Sequence, residues 1–189
     1  MKSINVKNCI FLLVVVGVCF QIFHFIEHLV QFGVWVGGKH DQPYMSPIAM
    51  HFSHHLGELI VPSCTCPPKP DGVIQICPNQ MMIGMELLHL IGNGIFLATI
   101  AGIFYFMPTR WVKYAFMIEL FHLYEHIMLT SSVLAIKQPI GLSTLFGGAE
   151  ALGGHEFAVG YRVSWHFVMN LIPSTMIMIA YMRRKRKVS

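Results

Sequence analysis

Two short segments of the sequence combine imidazole and carboxylate side chains at the spacing of one helical turn. Residues 24–28 and residues 122–126 both read H-x-x-E-H. Each is followed further along the chain by H-x-x-x-N, at 89–93 and at 166–170. Side chains three and four positions apart lie on one face of a helix, so each segment would present its polar groups together. The same two motifs in the same order predict an internal repeat.

Two further carboxylates stand three positions before a histidine. Glu86 precedes His89, and Glu119 precedes His122. Glu-x-x-His is a ligand pair with which four-helix bundles hold two iron or manganese ions. The corresponding positions in the other half of the repeat carry no carboxylate, so we expect any two-fold arrangement of the site to be approximate.

Nine imidazole and carboxylate side chains are therefore the candidate metal ligands. They are His24, Glu27, His28, Glu86, His89, His122, Glu125, His126 and His166. Glu27 and Glu125, the carboxylates of the H-x-x-E-H motifs, are also the candidate bridging or catalytic groups. Four neighbours on the same helix faces are expected to surround and orient these ligands, namely Gln31, Asn93, Glu119 and Asn170. The alternative is a network of His–Glu and His–Asn hydrogen bonds without a metal.

Three functions follow from this donor set. The favoured one is an oxidoreductase with two transition-metal ions, with iron preferred over copper or zinc, acting on a lipophilic or small substrate. The second is a membrane zinc hydrolase in which Glu27 or Glu125 is the base for a zinc-bound water. The third is not an enzyme: histidines on facing helices would hold haem or chlorophyll in an accessory subunit of a larger membrane complex.

The elements that must position these residues are apolar helices. Hydrophobic residues make up 54% of the 189-residue chain and charged residues 12%, about half the charged fraction of a soluble domain. Four apolar runs, at about 9–36, 81–106, 111–136 and 161–182, each reach the length of about 20 residues that crosses a bilayer. The sequence thus predicts a single-domain, all-α integral membrane protein. It would be a bundle of four transmembrane helices in which helix pairs 1–2 and 3–4 form a two-fold pseudo-repeat.

The polar stripes of the four predicted helices should meet at one depth. Counting a rise of about 1.5 Å per residue from each helix midpoint places all the motif histidines near or outside the midplane. Polar groups avoid lipid, so the stripes are expected to face one another inside the bundle. This convergence is the strongest sequence argument for a shared site, and it predicts access from the outer side.

Lysine and arginine residues set the predicted orientation. They concentrate near the N-terminus, at 110–113 and at 183–187, and are sparse in the loops 37–80 and 137–160. Basic residues favour the cytoplasmic side, so both termini are predicted to be cytoplasmic and both long loops outside. No basic stripe marks a nucleic-acid partner. The predicted partners are the lipid bilayer and further membrane subunits or copies of the chain.

The first long loop contains an amphipathic segment at about 50–61. One helical face of this segment carries His51, His54, His55 and Glu58. We expect a short helix lying in the membrane interface. Its histidines have two interpretations, a solvated polar face or a second metal site on the access route.

Three cysteines, Cys64, Cys66 and Cys77, follow in the same loop. On the oxidising side of the membrane a disulfide is favoured over a metal site. Cys-x-Cys with a third cysteine is also able to hold copper or zinc, so that alternative stays open.

Overall fold

A computed structural model describes residues 5–39, 44–62 and 78–188, and these residues form an all-helical structure. Five α-helices follow one another as α1 (Val6–Val36), α2 (Pro47–Ile60), α3 (Pro78–Phe106), α4 (Arg110–Ile136) and α5 (Ala149–Val188). A short 3-10 helix at Leu142–Thr144 lies between α4 and α5. Helix α5 is kinked at Gly154, whose φ of 78° and ψ of −179° suit a residue without a Cβ.

Short polar residues begin three of these helices. The side chain of Asn5 accepts from the amide of Lys7, that of Ser46 from Ala49, and that of Thr109 from Val112. Such caps satisfy backbone donors that have no partner inside the helix. The starting points of α1, α2 and α4 are therefore encoded locally in the sequence.

Within the described residues, three helices are long and apolar enough to cross a membrane. The spans lie in Val6–Val36, Asn79–Phe106 and Ala149–Arg186, with mean hydropathies of 2.6, 1.9 and 1.4. Many large apolar side chains of α1 are exposed, including Phe11, Leu12 and Phe23. Contact with lipid would cover them. Helix α4 has 27 residues but is less apolar, because one of its faces carries two glutamates and two histidines.

The contact between α2 and α3 is a direct backbone contact. A Cβ atom placed on Gly84 would lie 1.7 Å from the main-chain oxygen of Ser53, and one on Gly57 would lie 2.2 Å from that of Gln80. Side chains at either glycine would push the two helices apart. Small residues thus fix α2 against the first turns of α3.

The interior divides into an apolar region and a polar region. The apolar region contains Phe96, Ile100, Met107, Val112, Ala115 and Ala180. The polar region lies nearer the other end of α3 and α4 and buries Gln21, His28, Glu86, Asn93, Glu119, His122, Glu125, His126, His166 and Asn170. All of these polar groups are on the four long helices, so the bundle itself encloses them.

The predicted apolar runs fall within the observed helices. The runs at 9–36, 81–106 and 111–136 match α1, α3 and α4 closely, whereas the run at 161–182 is the apolar middle of the longer α5. An apolar run marks the part suited to lipid, and a helix continues through polar residues on either side. The helix predicted near 50–61 is α2. The disulfide predicted from Cys77 to Cys64 or Cys66 lies outside the described residues.

Candidate metal centre

Six histidines from the four long helices form one continuous cluster. They are His24 and His28 of α1, His89 of α3, His122 and His126 of α4, and His166 of α5. Nine pairs of their ring centroids lie between 4.6 and 5.9 Å apart. His28, His122, His126 and His166 are buried, and the other two are half-buried. The structure therefore brings together all six imidazoles that the sequence motifs singled out.

The two histidines of α4 face each other through one ring nitrogen and face carboxylates through the other. His122 Nε2 and His126 Nε2 are 3.2 Å apart. His122 Nδ1 lies 3.6 Å from Glu119 Oε2, and His126 Nδ1 lies 3.9 Å from Glu86 Oε2. Carboxylates behind the distal ring nitrogen are the usual surroundings of a metal-binding histidine.

Main-chain carbonyls orient the histidines of α3 and α5. His89 Nδ1 donates to the carbonyl oxygen of Met85, and His166 Nδ1 donates to that of Arg162, both over 2.8 Å. A neutral imidazole that donates from Nδ1 carries a lone pair on Nε2. His166 Nε2 is buried and has no hydrogen-bond partner. This buried nitrogen therefore has a lone pair that a cation or a proton would satisfy.

In α1, His28 faces a histidine through one ring nitrogen and an oxygen atom through the other. His28 Nε2 lies 3.2 Å from His24 Nε2, and His28 Nδ1 lies 3.1 Å from Gln31 Oε1. Gln31 was predicted to orient a ligand, and here it holds the outward nitrogen of His28. For five of the six histidines, an oxygen atom lies within 3.9 Å of Nδ1.

These separations suit the coordination of a transition-metal ion. Two nitrogen ligands about 2.0–2.1 Å from a tetrahedral metal lie about 3.3 Å from each other. The Nε2 pairs of α1 and α4 are close to that spacing, and His122, His126 and His166 offer ligand atoms within 4.8 Å of one another. A cavity of about 20 Å³ lies among His28, Gln31, Met85, His89, Arg162, Val163 and His166. A space of that size holds one water-sized particle.

The two motif glutamates contact the loops that follow their helices. Glu27 Oε1 accepts from the amide of Ser46 over 2.7 Å, and Glu125 Oε1 accepts from the amide of Ser143 over 2.6 Å. Glu125 Oε2 also accepts from Trp165 Nε1 over 2.6 Å. Both were predicted as bases or bridging ligands. The structure gives them partners in the loops, and neither belongs to the three-histidine group at 122, 126 and 166.

Glu86 forms a buried ion pair that links α3 to α5. Arg162 Nη2 donates to Glu86 Oε1, while Glu86 Oε2 has no hydrogen-bond partner. Glu86 is fully buried, and Arg162 is 16% exposed. Arg162 was not among the predicted site residues, although an arginine inside an apolar run is itself a signal of a functional or paired position.

The two asparagines act on the backbone. Asn93 Nδ2 donates to the carbonyl of His89 over 2.8 Å, and Asn170 Nδ2 to that of His166 over 2.9 Å. Asn170 Oδ1 accepts in turn from Gln21 Nε2 over 3.0 Å. They were expected to orient the imidazole rings, a role that Met85 and Arg162 fill with their carbonyls. Every residue has a main-chain oxygen atom, so the sequence could not indicate which of them would orient the imidazole rings.

Comparison with known proteins gives one match. The model of a family described as a family of unknown function, DUF6008, matches residues 68–189. No curated protein and no solved structure matches the chain. The matched range contains α3, α4 and α5, and hence the histidines at 89, 122, 126 and 166.

Proposed function

The chain belongs to this family of unknown function, and we propose that it is a membrane-embedded metalloprotein whose six clustered histidines hold two transition-metal ions. The observation that carries the proposal is the direction of the ring nitrogens. Oxygen atoms stand behind Nδ1 of five histidines, and the Nε2 atoms of two pairs come within 3.2 Å of each other. Metal-binding imidazoles commonly have an oxygen atom beside the ring nitrogen that does not bind the metal, because such an oxygen orients the ring.

Buried charge supports a cationic occupant. Four glutamates surround the cluster. Among the arginines and lysines of the described residues, Arg162 is the one that forms an ion pair with a glutamate of this group. Ionised carboxylates in a membrane interior are costly unless cations or protons balance them. Two metal ions bound by neutral imidazoles would supply positive charge at the centre of this arrangement.

We further propose that α4 is a fourth transmembrane helix and that the bundle is a two-fold repeat. The two glutamates and two histidines that lower the hydropathy of α4 are buried within the bundle, so they need not face lipid. Corresponding distances between histidine ring centroids in the two halves are alike. Within the H-x-x-E-H motifs they are 4.6 Å (His24 to His28) and 4.8 Å (His122 to His126). The three distances from these motifs to His89 and His166 differ by at most 0.4 Å from their counterparts in the other half. The loop contacts of Glu27 and Glu125 also correspond.

The orientation with both termini in the cytoplasm belongs to the same proposal. It rests on the basic residues near the N-terminus, in the α3–α4 turn and at the end of α5. The loops 37–80 and 137–160 would then lie outside, next to the histidine cluster. Further subunits or a second copy of the chain stay a prediction.

The reaction that we propose is an oxidation or reduction of a lipophilic substrate. A cavity of about 440 Å³ between α1, α2 and α3 is lined largely by apolar side chains, with His24, Glu27, Gln31 and His89 among the polar ones. That volume is typical of small-molecule sites. A molecule with an apolar body and one polar group would place the polar group against two histidines of the cluster.

The donor set favours copper among the redox metals. Iron was preferred from the sequence because carboxylates were counted as ligands, but Glu27, Glu86 and Glu125 hold loop amides or an arginine. A centre with mostly imidazole ligands suits copper, zinc or iron, and copper binds most strongly of the three divalent ions. Bound copper or iron would supply one-electron chemistry at the site.

Zinc hydrolysis is the second candidate. Its support is the three-histidine group at 122, 126 and 166, since three protein ligands leave a zinc ion one position for water. The carboxylate expected to act as base, Glu125, accepts from a loop amide and from a tryptophan, which counts against the role. Oxidoreduction therefore remains the first proposal.

Elemental analysis of tag-free protein, purified in detergent and rinsed briefly with chelator, tests the proposal. We expect two copper or iron ions per chain and about one ion in H28A/H89A and in H126A/H166A. The matched control is H155A, at an exposed histidine of α5, which should keep both ions. Circular dichroism and gel filtration exclude unfolded variants, and oxygen consumption with lipophilic reductants then tests turnover.

Each other outcome has a defined meaning. Two zinc ions without copper or iron would favour hydrolysis, and the absorption bands of a tetrapyrrole would favour a haem- or chlorophyll-binding subunit. Wild-type protein that folds, retains its helices and binds no transition metal under any loading condition would overturn the metal centre altogether.

A further inference from the structure

A second cluster of histidines lies on α2, apart from the buried centre. Both His54 and His55 lie three or four residues from His51 and from Glu58, so the four side chains share one helical face. The ring centroids of His51 and His55 are 4.4 Å apart, and those of His54 and His55 are 5.7 Å apart. The buried centre uses none of these side chains.

The spacing of the donor atoms suits coordination better than hydrogen bonding. Glu58 Oε2 lies 3.5 Å from His54 Nδ1 and 3.4 Å from His55 Nδ1. Hydrogen bonds between nitrogen and oxygen are typically about 2.7–3.2 Å long, whereas ligands of one tetrahedral ion stand about 3.3 Å apart. Ligand atoms of the three residues lie within 4.8 Å of one another. The carboxylate thus stands between two imidazoles without a normal hydrogen bond to either.

The cluster is open to solvent and is carried by a fixed helix. The side chains of His54, His55 and Glu58 are 23%, 58% and 48% exposed. Helix α2 itself is held by the Glu27 contact at its start and by the backbone contact of Ser53 with Gly84. A cation would therefore find the three residues on a rigid support, with little backbone left to order on binding.

We propose that α2 binds one divalent cation of the borderline class, Cu²⁺, Ni²⁺ or Zn²⁺, through His54, His55 and Glu58, with His51 as a fourth ligand. Imidazole with one carboxylate selects such ions over Mg²⁺ or Ca²⁺, which prefer oxygen. The site is accessible, so its ion exchanges freely, unlike an ion enclosed by the bundle. The other face of α2 lines the 440 Å³ cavity that reaches His24 and His89, so the site captures cations beside the route to the buried histidines.

Titration of the tag-free full chain in detergent with Ni²⁺, followed by isothermal calorimetry, tests this site. The background for the titration is the quadruple variant H28A/H89A/H126A/H166A, in which the buried cluster has lost four imidazoles. We expect one Ni²⁺ per chain in this background and none after H51A, H54A and H55A are added. E58Q, a single change at an exposed position, should weaken binding about tenfold. H155A is the control and should leave the titration unchanged.

The outcomes separate this site from the buried centre. Retained Ni²⁺ binding in the histidine-free α2 variant, or no binding in the starting background, would overturn the α2 site. Loss of the two tightly held ions in wild-type protein would bear only on the buried centre. If the quadruple background does not fold, E58Q and H51A/H54A/H55A are compared in the otherwise wild-type chain. The quantity measured is then the ion that a brief chelator rinse removes, which is the ion of the accessible α2 site.

Discussion

The ion pair between Glu86 and Arg162 connects α3 to α5, and its removal has a predictable cost. In R162M the side chain keeps an apolar body and loses its guanidinium. Glu86 Oε1 then loses its donor, while Oε2 has no partner to begin with. A fully buried carboxylate would be left without either a cation or a hydrogen bond.

The magnitude follows from the burial of each partner. Removing one member of a buried ion pair costs about 3–5 kcal/mol, and the 16% exposure of Arg162 favours the lower end. We expect R162M to lower the free energy of unfolding by about 3 kcal/mol. E86Q keeps an oxygen that accepts from Arg162, so its expected cost is about 1–2 kcal/mol. The double variant should be no less stable than R162M, because a neutral amide replaces the unpaired carboxylate.

A double-mutant cycle measures this coupling directly. The free energy of unfolding would be obtained by denaturant titration of the purified chain in mixed micelles. The control is R184M, at an exposed arginine of α5 that donates to the carbonyl of Phe106. Its expected effect is below about 1 kcal/mol. Additive effects of R162M and E86Q, or an R162M cost no larger than that of R184M, would refute the ion-pair reasoning.

Two further predictions concern the packing of α2 and the loop after α4. G84A should displace α2 and lower thermal stability, because the new Cβ would lie 1.7 Å from a main-chain oxygen of α2. G94A places its new Cβ where no other atom lies within 4 Å, so it should raise the free energy of unfolding by up to about 1 kcal/mol through helix propensity. Equal melting temperatures for G84A and G94A would contradict the packing argument. E125A should cost about 2–4 kcal/mol, because it leaves one buried and one half-buried donor unpaired, and should speed proteolysis of the 137–148 loop. W165F removes one of these donors and should cost about half as much, so a larger loss in W165F than in E125A would argue against the glutamate as the loop anchor.

The helices and the meeting of the histidines could be predicted from the sequence because both follow periodicity. Apolar length located α1, α3 and α4, and helical spacing placed the polar side chains of each helix on one face. Side chains that avoid lipid then have only the bundle interior to enter. The six imidazoles of the motifs accordingly occupy one cluster.

The detailed roles could not be predicted, because they depend on contacts between segments far apart in the chain. Spacing alone singled out Glu27 and Glu125, and it gave no sign that each accepts from a loop amide 18 or 19 residues further on. The orienting groups of His89 and His166 are main-chain carbonyls, which have no sequence signature. Arg162 is 76 residues from Glu86, so nothing local linked the two.

The placement of protons distinguishes a metal centre from a network of hydrogen bonds. His89 and His166 donate from Nδ1 to carbonyl oxygens, so their Nε2 atoms are acceptors that must receive a proton or a cation. If His122 and His126 likewise direct Nδ1–H toward Glu119 and Glu86, their Nε2 atoms, 3.2 Å apart, oppose each other as two lone pairs. A metal-free network would need one of those protons moved to Nε2, which leaves a bare Nδ1 facing a carboxylate. That carboxylate would then have to be protonated as well. A bound cation would satisfy the converging Nε2 atoms without moving any of these protons, so a metal centre needs fewer proton shifts than a metal-free network does.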